Sequence, residues 1–111
     1  MLDGYVYLIV EVDEFGNEKY KIGVTKNNPE KRLSKLKTGN SNQLDILKVY
    51  RSKNYKKIER FLHRKYSNQR SISKNEFFHL SSDQVIGFMS TCFDIECIIE
   101  SLRDNPFYNK S

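Results

Sequence analysis

GYVYLIVEVDEFGNEKYKIGVT, residues 4–25, is the stretch that decides the fold. GYVYLIVEVDEF is rich in Tyr, Val and Ile and reads as a strand. DEFGNE follows, and its adjacent Gly16 and Asn17 tolerate the positive φ that tight turns need. EKYKIGVT then alternates Tyr20, Ile22 and Val24 with Lys19 and Lys21, so a second strand returns beside the first. Gly23 weakens that strand unless a bulge or a close neighbour needs the space of the missing side chain.

Working outward from the hairpin, NNPEKRLSKLKTG predicts a helix with both ends marked. Asn28 caps it, Pro29 fits the first turn and Gly39 follows the last. Leu33 and Leu36 would face the core. QLDILKVYRS predicts a third strand, but Leu44 and Ile46 followed by Leu47 and Val49 leave its register open. Asn54 can cap the next helix, expected over roughly 55–68, with Ile58, Phe61, Leu62 and Tyr66 as its apolar face. NQRSISKN reads as a polar loop and EFFHL as a short apolar return. Ser81 and Gln84 have capping-box spacing. Beyond them one or two helices are expected, with a break near Thr91–Asp94, and a loose end, NPFYNKS. The fold class is α+β: a small, mostly antiparallel sheet of three main strands flanked by helices. At 111 residues the chain reads as one domain, with a core over 1–80 and a C-terminal helical extension, 81–111, packed on it.

The net charge of +5 is unevenly spread. Residues 26–70 carry 14 Lys or Arg against three acids, a net of +11, while each flank carries −3. Such a field attracts polyanions, although a solvated basic face with no partner has the same composition. No apolar run approaches the roughly 18 residues of a membrane span, and the N-terminus lacks a basic-then-apolar leader. Cys92 and Cys97, without nearby His, are a poor zinc pattern. They point to free thiols in a reducing compartment, cytoplasmic or nuclear, in a protein that is not secreted.

KIERFLHRKY, residues 57–66, sets one acid, Glu59, among bases. It is either a counter-charge on a solvated helix or a metal ligand where phosphate is received. His63, four residues on, shares its helix face. Alone, the two read as a surface pair, and Tyr7 on an apolar strand reads as core. Phosphodiester hydrolysis needs an activated water, cations around the transition state, and a metal or acid at the departing oxygen. Two-metal sites cluster several carboxylates, and the three acids of the basic region are widely spaced. A metal nuclease built on this sequence would therefore use one metal.

Taken together and in order, YVYLI, YKIGVT, PEKRLSKLKTGN, a helix bearing E-x-x-x-H, and NEFFHL resemble the GIY-YIG nuclease superfamily. The resemblance runs from about Tyr5 to Leu80 and is nearest to the compact viral and phage-type branch, whose second motif reads KIG. It implies a GIY-YIG endonuclease-like fold and a viral or mobile-element protein. Tyr7 matches the first-motif tyrosine, which would orient or deprotonate the attacking water. Lys21 replaces the second-motif tyrosine and would hold water or phosphate, whereas Tyr20 points to the opposite face. Gly23 matches the motif glycine. Arg32 matches the arginine that stabilises transition-state charge. Glu59 matches the metal ligand, with His63 in a supporting or proton-transfer role. Glu76 matches an acid of less defined role, and the asparagine found late in distant members has no assigned counterpart here.

The resulting expectation is a divalent-metal-dependent DNA endonuclease, with Mg²⁺ or Mn²⁺ as cofactor. Tyr7, Lys21, Arg32, Glu59 and His63 would form its catalytic set. Lys31, Lys35, Lys56, Lys57, Arg60, Arg64 and Lys65 are candidate backbone contacts, which position DNA without reading bases. The alternative is a nucleic-acid-binding module with the nuclease fold and little or no cleavage. The expected partner is double-stranded or branched DNA, not a membrane; weak sequence preference, branched or nicked substrates, a homodimer or a separate specificity partner would each fit.

Overall fold

The computed structural model describes residues 3–72 and 76–103. The hairpin forms as the sequence predicts. β1 (Gly4–Val12) and β2 (Glu18–Thr25) pair antiparallel, with Tyr7 opposite Gly23 and Ile9 opposite Lys21. Between them the Asp13 carboxylate accepts from the backbone N–H of Phe15 and of Asn17, and Gly16 takes φ 81°. Asn17 has no positive φ, so Gly16 alone supplies the turn.

α1 (Pro29–Lys37) starts at Asn28, whose side chain accepts from the Glu30 N–H, and Gly39 follows its end at φ 78°. β3 (Gln43–Ser52) pairs antiparallel with the other edge of β1. Its ambiguous alternation has a physical cause. Leu8 faces Lys48 and Ile9 faces Ile46, so Leu47 is the extra residue of a β-bulge and half-exposed. α2 (Tyr55–Lys65) is shorter than expected and tightens into a 3₁₀ turn at Ser67–Gln69. Asn54 stands at its cap position but makes no capping bond; its side chain donates to Glu100 and accepts from Arg103 instead. β4 is only Phe77–Phe78, antiparallel to β2, which gives the sheet order β3-β1-β2-β4. The architecture is α+β, with the fourth strand being the short return.

Ser81 and Gln84 form the capping box of α3 (Ser82–Ile86), and α4 (Phe88–Arg103) follows. The break falls at Gly87, not at Thr91–Asp94. Glycine is a poor helix former, whereas Phe88, Cys92, Ile95 and Ile99 give α4 one continuous buried stripe through the β-branched positions. Cys92 is buried, Cys97 exposed, and both are free thiols. The loose end at 105–111 and the end of the polar loop, 73–75, lie outside the described residues.

β1 is paired on both edges, and both its faces are covered as well. Val6 and Leu8 join Ile22, Ile58, Leu62, Phe78 and the buried stripe of α4 in the larger core. Tyr7 and Ile9 face the other way, onto Leu33 of α1 and Leu44. This two-sided burial is why β1 reads as a nearly unbroken apolar run. Among the described residues no helix is long and apolar enough to cross a membrane.

Candidate active site

Of β2 only Tyr20 and Lys21 pair with β4, so Ile22–Thr25 present an outer edge with no strand partner among the described residues. α1 lies on one side of the sheet and α2 on the other. Side chains from both faces meet at this edge.

Tyr7 arrives from the α1 side. A Cβ on Gly23 would stand 2.3 Å from the Tyr7 hydroxyl and 2.5 Å from Cζ. The ring therefore crosses the space that glycine leaves open, while its own body is buried. Gly23 does not adopt positive φ, so close approach is what requires it. Arg32 extends from α1 to place Nε 3.5 Å from the Tyr7 hydroxyl, a long contact at the limit of hydrogen bonding.

Lys21 shares the face of Tyr7. Its side chain is nearly buried and donates from Nζ to Glu76 Oε2 at 2.8 Å. That hydrogen bond, then the lysine charge, hold the Glu76 carboxyl below the ordinary glutamate range, with Arg32 and His63 adding to the effect. An ammonium bonded to a carboxylate is a fixed positive donor, which suits phosphate better than proton abstraction. Tyr20 points oppositely, into the larger core.

Glu59 and His63 reach the edge from α2. His63 Nε2 lies 2.9 Å from the Ile22 carbonyl, which can only accept, so Nε2 carries a proton. Phe78 meets the imidazole edge-on at 5.1 Å, fixing the ring further. Glu59 Oε2 lies 3.9 Å from His63 Nε2, too far for a hydrogen bond, and makes no other ion pair among the described residues. Tyr7, Lys21, Arg32, Glu59, His63 and Glu76 thus share one cleft of about 240 Å³.

No group of three or more His, Cys, Asp or Glu converges on a metal-sized site among the described residues. The donor set still fits one kind of ion. Mg²⁺ retains most of its waters and takes one or two carboxylates plus substrate phosphate oxygens. Glu59, half-exposed and unclaimed by any lysine or arginine of the described residues, is such a carboxylate.

The candidate backbone contacts separate into two groups. Lys31 and Lys35 flank Arg32 in a depression on the α1 side. Lys56, Lys57, Arg60 and Arg64 line clefts on the far flank of α2. Lys65 lines none of these clefts; its ammonium sits 6.0 Å from the Tyr66 ring centroid. Sequence reasoning missed Lys26, Lys53 and Arg103, which line the α2 clefts too. Lys26 and Lys53 lie in the basic middle of the chain, where they carried a signal, but Arg103 lies in the acidic C-terminal third, where nothing marked it. The role of Glu76 as the partner of Lys21 was equally invisible, since 55 residues separate the two.

Fold and site together define a small α+β domain with a carboxylate-bearing, otherwise cationic cleft suited to a polyanion. The chain belongs to the T5orf172 domain family, whose model matches residues 4–93. This is a phage-derived domain associated with GIY-YIG-like, nuclease-type folds. The match passes Leu80, where the motif resemblance ended, and takes in the first part of α4. No curated protein and no solved structure matches the chain significantly.

Proposed function

We propose that this chain is a divalent-metal-dependent endonuclease that hydrolyses DNA phosphodiester bonds with one metal ion, in the manner of the GIY-YIG branch with a KIG second motif. The observation that carries the reading is the meeting of Tyr7, Lys21 and Arg32 from one face of the sheet with Glu59 and His63 from the other, in one cleft.

Glu59 would hold Mg²⁺ or Mn²⁺, which when bound polarises a phosphoryl oxygen and offsets charge on the departing one. The Tyr7 hydroxyl, anchored over Gly23, orients the attacking water. Arg32 offers a planar, permanently charged donor set to the phosphoryl oxygens as their charge grows. Lys21, steadied by Glu76, adds a second cation from the buried side. His63, with Nε2 held by the Ile22 carbonyl, positions the Glu59 side of the cleft. No serine or cysteine among the described residues lines the cleft, and with Tyr7 given to orienting water no covalent intermediate is expected.

One observation favours the alternative, a binding module with weak or no cleavage: the cleft offers one carboxylate, Glu59, that no Lys or Arg of the described residues pairs with, the minimum for a metal site. The test is cutting of supercoiled and branched DNA with Mg²⁺ or Mn²⁺ by wild type and Glu59→Ala, with binding measured in chelator. Cutting by wild type alone, with binding retained in the variant, is expected. Salt-sensitive binding without cutting by either protein establishes the module, and equal cutting by both removes Glu59 from the mechanism.

A further inference from the structure

Successive residues on a helix step round by about 100°. On α2 this sets the row Lys56, Arg60, Arg64 beside the row Glu59, His63, and turns Lys57 and Phe61 further round towards α4. There a cleft of about 340 Å³ opens between the two helices. Phe61, Ile99 and Leu102 supply its apolar surface, and Lys57, Arg64 and Arg103 its cations. Through Lys57 and Arg60 it continues into a wider depression of about 510 Å³ at the start of α2.

Two features point to a ligand. The first is uncompensated charge. Lys57, Arg60 and Arg64 make no ion pair among the described residues; Glu100 already serves Lys53 at 3.5 Å and Arg103 at 3.6 Å, and Glu59, in the neighbouring row, lies 3.9 Å from His63. The second is the pairing of cation with aromatic: the Arg64 guanidinium stands 5.2 Å from the Phe61 ring centroid. An apolar, aromatic surface within a cationic rim is what a single nucleic-acid strand needs, since bases stack while phosphates follow the charges. A cleft between two packed helices is too narrow for a duplex.

We propose that the α2–α4 cleft receives a single nucleic-acid strand leaving the active site, so that the preferred substrate is a duplex carrying a single-stranded arm. The inference rests on the nuclease reading for the position of the duplex. It also gives α4 a part in substrate choice, through Arg103.

Binding by fluorescence anisotropy in chelator tests it without cleavage. The probes are a blunt duplex of about 20 base pairs and the same duplex with a thymidine arm of about ten nucleotides. The arm is expected to tighten binding by wild type about tenfold, as one well-stacked base does. Lys57→Glu, at an exposed residue, should cut that advantage below about threefold, and Arg103→Gln should reduce it in the same direction. Equal affinity of wild type for both probes, or an advantage intact in both variants, overturns the cleft and leaves the active-site reading standing. No salt-sensitive binding of either probe overturns both.

Discussion

Gly23→Ala is the sharpest perturbation of this site, because it adds one methyl group and no charge. The new Cβ would lie 2.3, 2.5 and 2.8 Å from Oη, Cζ and Cε1 of Tyr7. Carbon atoms touch at roughly 3.5 Å, so the ring must withdraw by about 1 Å. It is buried and has little free space, so the strain is that of an overpacked core, about 1–3 kcal/mol. For a domain near this size that lowers Tm by roughly 5–15 °C. A displacement of about 1 Å in a reacting group costs on the order of a hundredfold in rate. Cleavage of supercoiled DNA at a temperature where the variant is folded should fall by that factor, while DNA binding in chelator stays unchanged. A double-mutant cycle checks the cause. Tyr7→Leu removes all three clashing atoms, so adding Gly23→Ala to it should cost far less than adding it to wild type. Full activity of Gly23→Ala, or additive Tm losses in the cycle, would refute the close-packing argument.

Other consequences are open to direct measurement. Glu76→Gln should remove the ionic part of its bond to Lys21, costing at most about 1 kcal/mol at neutral pH because the Glu76 side chain is 77% exposed. Glu76 has a folded pKa below its ordinary 4.5, so its contribution is present above that value and fades as pH falls further. Urea melts of wild type and variant should therefore converge in acid, and a gap that widens there would contradict the pairing. Glu96 accepts from the Tyr50 hydroxyl at 2.5 Å and from the Ser52 hydroxyl, joining α4 to β3. Burial first, and then the Glu96 carboxylate, push the Tyr50 phenol well above its ordinary range. Glu96→Ala strands both donors and should cost about 2 kcal/mol, read as a drop in Tm of roughly 10 °C; an unchanged Tm would show that apolar packing alone docks the helix.

What the sequence by itself determined is local. The hairpin, the Asn28 cap and the Ser81–Gln84 box each depend on residues a few positions apart, whose backbone preferences act before any tertiary contact forms. The motif order likewise marked Tyr7, Lys21, Arg32, Glu59 and His63 as a set, although each taken singly reads as core or surface. Where long-range contacts compete, local signals misled. Asn54 looked like a cap, yet its side chain is taken by Glu100 and Arg103, and Leu47 broke an alternation whose bulge only pairing with β1 reveals. Only the tertiary structure decided that residues from opposite faces of the sheet meet at the outer edge of β2, that Glu76 secures Lys21, and that α2 and α4 enclose a second basic cleft. Those contacts span tens of residues in sequence. They depend on how the two faces of one buried strand are covered, and no short window of sequence contains that information.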